Sequence, residues 1–136
     1  MDNIILNKTA SIERCLSRIQ EEYEGFEHEL ETNYRRQDAI ILNLLRACDQ
    51  AIDIANHLVK IKKLGIPQNT KDSFDILQQR QILPSETANA LKNIVGFRNI
   101  ATHEYQKLNL DTLKNILANH LQDFRTFAQI ALSYAA

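Results

Sequence analysis

From about Arg36 to Leu64 the chain runs without a single glycine or proline. Its apolar residues fall on two stripes at helical spacing. One is Ile40, Leu44, Ala47, Ala51, Ile54, Leu58 and Ile61; the other is Ile41, Leu45, Cys48, Ile52, Ala55 and Val59. Offset by about 100°, the stripes form an apolar face wider than a surface helix carries. Two accounts fit such a face: a central helix packed on two neighbours, or a helix that also meets its own copy in a second subunit. Lys60, Lys62 and Lys63 complement the dipole at its C-terminal end, Gly65 is placed as a C-cap, and Pro67 bars continuation.

The rest of the chain reads as helix around this spine. Ile5, Ile12, Leu16, Ile19, Tyr23, Phe26 and Leu30 predict a first helix from Asn3 to about Glu31, interrupted only by Thr9. Gly25 within it marks a kink or an early end. Thr32 to Arg36 makes the connection to the spine. Asp72 to Gln81 reads as a short helix, and Pro84 suits the first turn of the next, which Ala88, Leu91, Ile94 and Val95 carry forward. Asn109 is a good N-cap for a last helix, with Leu108 and Leu113 spaced as a hydrophobic staple. That helix buries Leu110, Leu113, Leu117, Leu121, Phe124, Ala128 and Ala131. No segment alternates as a strand does. The expectation is an all-α bundle of four long helices plus a short one, one domain over residues 1–136.

Composition narrows the function classes. With 44% apolar and 24% charged residues the chain has a globular balance. A formal net charge of −1 argues against nucleic-acid binding through global electrostatics. The distribution is uneven: residues 21–31 hold six glutamates and no Lys or Arg. Residues 32–107 hold eleven Lys and Arg against seven Asp and Glu, a local excess of four. A basic surface in that region and an ordinary solvated face both fit. No apolar run is long enough for a signal peptide or a membrane span, so a cytoplasmic location is expected. The Asn7-Lys8-Thr9 sequon has no meaning without secretion. Cys15 and Cys48 sit at apolar helical positions, as buried thiols do. His28, His57, His103 and His120 show no ligand spacing, and no metal or cofactor is expected.

One stretch carries chemistry: Gly96-Phe97-Arg98-Asn99-Ile100-Ala101-Thr102-His103-Glu104-Tyr105. Arg98 offers a permanent cation with a planar fork suited to phosphate oxygens. An imidazole titrates near neutral pH, so His103 can hold or give a proton there. Tyr105 adds a phenol. On one uninterrupted helix His103 stands roughly 140° around the axis from Arg98, and Tyr105 nearly above Arg98. The three groups therefore need either a helix end within the motif or the same motif from a second subunit. Surface ion pairing is the alternative for Arg98 and His103, and for Tyr105 a phenol hydrogen-bonded near a helix end.

Gly96-Phe97-Arg98-Asn99 with His103-Glu104-Tyr105 resembles the signature of the HepT family of HEPN-superfamily toxins. Gln37-Asp38-Ala39-Ile40, Asp53-Ile54-Ala55-Asn56-His57, Gly65-Ile66-Pro67 and Asp72-Ser73-Phe74-Asp75-Ile76-Leu77 agree with it, so the resemblance covers roughly residues 35–125. It implies a HEPN-like two-fold homodimer acting as the toxin of a type VII toxin–antitoxin system. The implied activity is metal-independent endoribonuclease cleavage of tRNA or mRNA, with Arg98 and His103 catalytic in a composite site and Asn99 supporting them. It further implies neutralisation by a nucleotidyltransferase antitoxin that AMPylates Tyr105. Asp38 and Asn56 have a structural role in this reading or one supporting the site residues, Glu104 is exposed, and His57 and His120 are packing or surface residues. A non-catalytic helical dimer that binds nucleotide or a partner nucleotidyltransferase is the reading from another class.

Overall fold

The computed structural model describes all residues, Met1–Ala136. It holds six α-helices and no strand: α1 (Asn3–Tyr23), α2 (Tyr34–Ile61), α3 (Asp72–Gln79), α4 (Ser85–His103), α5 (Leu110–Asn119) and α6 (Leu121–Leu132), with 3-10 turns at Glu27–Glu29 and Tyr105–Lys107.

The spine, α2, is buried by its own chain. Ile40, Leu44, Ala47, Ala51, Ile54 and Leu58 of one stripe, and Ile41, Cys48, Ile52, Ala55 and Val59 of the other, are all buried. The wide face is therefore consumed within one protomer, as a central helix on two neighbours requires, and only Ile61 is left exposed. Helix α1 lies antiparallel to α2 along its length. Asp2 meets His57 at 2.6 Å, Lys8 meets Asp53 at 2.9 Å, and Arg36 meets Glu22 at 3.2 Å. Asp2 also caps α1 by accepting from the Ile5 amide. The hydrogen bond from His57, then that from Ile5, holds its carboxyl below the usual carboxylate range. Thr9, the interruption in the α1 stripe, is buried at no cost in unmet polarity because its hydroxyl donates to the Ile5 carbonyl. On the far side, Phe74 of α3 meets Phe127 of α6 edge to face at 5.7 Å.

The helix ends depart from expectation in three places. The first helix stops at Tyr23, not near Glu31, because Gly25 takes φ +81 and reverses the chain; Leu30 is buried from the following turn. The spine ends one turn earlier than Gly65 implies. Lys63 itself takes the left-handed conformation, φ 55, and the Leu64 amide reaches back to the Val59 carbonyl while that of Lys63 reaches Lys60. This is a Schellman closure with leucine as its apolar residue, and Gln81 closes α3 in the same way. The last helix is two. His120 leaves helical geometry (φ −124, ψ 1) and its Nδ1 pairs with Asp123 at 2.9 Å, so α6 restarts with Phe127 on its buried face. Asn109 does cap α5, accepting from the amides of Asp111 and Thr112.

A lysine in left-handed geometry carries a cost that glycine lacks. Lys63→Gly should raise unfolding stability by roughly 0.5–1 kcal/mol in urea titration, after glycine's greater unfolded-state entropy is subtracted. An unchanged or lower stability would mean that the closure carries no backbone strain.

Candidate active site

The motif lies at the C-terminal end of α4, which passes without a break through Gly96 and ends at His103. Arg98, Asn99 and His103 therefore share one helix. Asn99 stands between the other two around the axis, and the roughly 140° between Arg98 and His103 is retained. Tyr105 has left the helix and opens the 3-10 turn that follows.

Two carboxylates of α2 organise these side chains. Asp49 accepts from Arg98 Nε at 3.0 Å, and Asn99 Oδ1 accepts from Arg98 Nη1 at 3.0 Å. With Nε tied down, the Nη2 edge of the guanidinium is oriented and makes no hydrogen bond within the chain, which leaves it to meet an oxyanion. The ion pair anticipated as an alternative for Arg98 thus exists, and it aims the guanidinium as well as pairing it. About three turns further toward the N-terminus on the same ridge of α2, Asp38 accepts from the Tyr105 hydroxyl at 2.9 Å. Asp38, Leu42 and Asp49 follow one another at helical intervals of four and seven, and Leu42 between the carboxylates is 47% exposed. His103 is exposed and makes no hydrogen bond with another side chain.

Burial, then the hydrogen bond to Asp38 and the charge of that carboxylate, pushes the Tyr105 phenol up to about 12. Tyr105 is therefore a neutral hydrogen-bond donor throughout the physiological range. The charge surplus expected around the motif is partly spent, since Asp49 and Asp38 face it directly. Asp49 was invisible in the linear pattern because a carboxylate on a solvent-facing helix position has no distinguishing spacing. Asn56, given only a structural role, does have one: its side chain accepts from the Ser73 hydroxyl and ties α2 to α3. His57 and His120 both serve at helix termini. Cys15 and Cys48 are buried free thiols, and burial pushes the Cys48 thiol up to about 12, away from reactivity. No three His, Cys, Asp or Glu side chains converge as a metal-ligand set, and no helix is long and apolar enough to cross a membrane.

The Tyr105 assignment has a spectroscopic signature. In a difference titration against Tyr105→Phe, Tyr105 should ionise near pH 12. In Asp38→Asn the midpoint should fall toward the ordinary tyrosine value of about 10. A midpoint unaffected by Asp38→Asn would mean that the hydrogen bond does not form in solution.

A family model described as Ribonuclease HepT-like matches residues 12–131. The chain is 45% identical over 130 residues to the mRNA nuclease HepT of Shewanella oneidensis, covering 96% of this chain and 97% of the relative. Among solved structures, it superposes with a TM-score of 0.92 and 44% identity on a tri-AMPylated Shewanella oneidensis HEPN toxin in complex with MNT antitoxin, covering 98% of this chain and 99% of that one. A toxin–antitoxin structure with AMP-PNP gives a TM-score of 0.90 at 43% identity, over 96% and 99% of the two chains. With a match over most of its length and a helical frame that superposes on HEPN toxins, the chain belongs to the HepT-like ribonuclease family.

Proposed function

We propose that this protein is the toxin of a type VII toxin–antitoxin pair, a metal-independent endoribonuclease acting in the cytoplasm. The observation that carries the reading is the Arg98 guanidinium, fixed by Asp49 and Asn99, in the last turns of the same helix that ends in an exposed His103. The HepT relative's name, an mRNA nuclease, supports RNA as the substrate class and messenger RNA within it. RNA brings its own nucleophile, the 2′-hydroxyl beside the scissile phosphate.

One His103 takes the 2′-hydroxyl proton as the 2′-oxygen bonds to phosphorus. The bond from phosphorus to the 5′-oxygen breaks, and that oxygen receives a proton from a second imidazole. The products are a 2′,3′-cyclic phosphate and a 5′-hydroxyl. Arg98 bears the charge that gathers on the non-bridging oxygens. Because α4 is continuous, the base and the acid come from two copies of His103 across a two-fold axis. The exposed Leu42, set between Asp38 and Asp49, provides apolar surface for the partner beside the site.

Tyr105 is the control point. A nucleotidyltransferase antitoxin, the kind of partner named in the solved complex, transfers AMP from ATP to its oxygen: the phenol gives up its proton, its oxygen bonds to the α-phosphorus, and pyrophosphate leaves. The phosphodiester that forms replaces the O–H, so the hydrogen bond to Asp38 is lost and a new negative charge stands beside an existing carboxylate. That charge is drawn to Arg98 and competes there with RNA.

Arg98→Ala and His103→Ala should each reduce RNA cleavage by about 100-fold or more while leaving the dimer intact in sedimentation. The parent rate should be unchanged in excess EDTA. Parent-level cleavage by either variant would remove that residue from the chemistry, and loss of activity in EDTA would make a metal part of it. Intact mass after incubation with the neighbouring nucleotidyltransferase and ATP should rise by AMP units that map to Tyr105. Tyr105→Phe should take none; an equal gain in that variant would move the modification elsewhere.

A further inference from the structure

A groove of about 440 Å³ lies between α4 and α5 and is closed at one end by Lys71, just before α3. Ile100, 45% exposed, is its open apolar side chain over a floor of the buried Ile94, Phe97 and Ile116, and Asn93 presents a side chain with no hydrogen bond inside the chain. Lys71 lies across Gly96: a Cβ built there would stand 3.4 Å from its ammonium nitrogen. Glycine in a helix interior costs about 1 kcal/mol against alanine, and here it leaves open the space beneath that cation. The Lys71 ammonium has no carboxylate partner, unlike Lys92, which Asp75 holds at 2.6 Å. His120 reaches the same groove with Nδ1 already committed to Asp123.

The groove leads to the motif. Gly96 and Ile100 line it, and His103 follows them at the next helical interval, so the three form one row along α4. We propose that this groove is a nucleotide subsite for the RNA strand on the His103 side of the scissile phosphate. The Lys71 ammonium takes the neighbouring phosphate, and the base lies against the exposed Ile100 over the groove floor, with Asn93 at its edge. A planar base with a phosphate one nucleotide away suits an apolar wall beside an unpaired cation. The inference rests on reading Arg98 and His103 as the cleavage pair, since that reading makes RNA the ligand.

The test is equilibrium binding of a uniformly 2′-O-methylated oligoribonucleotide, whose blocked 2′-oxygen prevents cleavage, to the full-length protein over a salt series. Lys71→Gln should weaken binding about fivefold or more at moderate salt. It should also flatten the dependence of log affinity on log salt by about 0.7, one phosphate contact. Lys71→Arg should restore the slope. Unchanged affinity and slope in Lys71→Gln would overturn the subsite. So would a loss traced by sedimentation to dimer dissociation, or a loss of antitoxin affinity with RNA affinity kept, since either would make the groove a protein surface. Cleavage of unmodified RNA by the parent is scored separately: its absence would strike the ribonuclease reading, whereas the binding series judges the groove by itself.

Discussion

Burial of α2 on two sides is the constraint on which the remaining structure depends. Its two apolar stripes are filled by neighbours within the chain, so the residues left facing outward are those that can do something else. Asp38, Leu42 and Asp49 occupy that outward ridge, and α4 is laid against it so that Arg98 and Tyr105 reach the two carboxylates. The site is thus a product of packing: the core sets the rotation of α2, and that rotation sets which acids meet the motif. A substitution that turned α2 by one residue would move both partners away together.

The arrangement also separates two kinds of group by their tethers. Arg98 is bound at Nε and oriented at Nη2, the state a phosphate clamp needs before substrate arrives. Tyr105 is held as a neutral donor on the half-exposed segment after the helix, where an enzyme's active site can reach it. His103, between them in sequence, has neither constraint. That freedom is what the proposed two-histidine site asks of it.

Much of this was legible in the linear chain, and the reasons are local. The stripes of α2 repeat over many turns, so their period stands out against any single residue. Asn109 announces α5 because capping is a matter of the next few amides. The missed features are of two sorts. Lys63 and Gln81 close their helices in left-handed geometry although glycine is the residue that geometry favours, since the Schellman bonds and the apolar Leu64 and Ile82 outweigh the steric cost. The break at His120 hides because an unbroken helix and two phased helices bury nearly the same residues, Ile116 and Phe127 included; only the backbone of His120 tells them apart. Asp49 meets the motif across 49 positions of sequence, and no spacing rule spans such a distance; Asp38, 67 positions away, was marked only by the family resemblance. The motif itself was readable as chemistry and Asp38 as a structural or supporting residue, whereas Asp49 was not.

The central claim is that cleavage needs His103 from both subunits. Dimers assembled at random from parent and His103→Ala chains decide this directly. If one imidazole acts as base and the other as acid, only parent–parent dimers cleave, and activity follows the square of the parent fraction, about a quarter at equal mixing. Activity that falls in simple proportion, to about a half, would show that each subunit cleaves with its own histidine and would contradict the composite site.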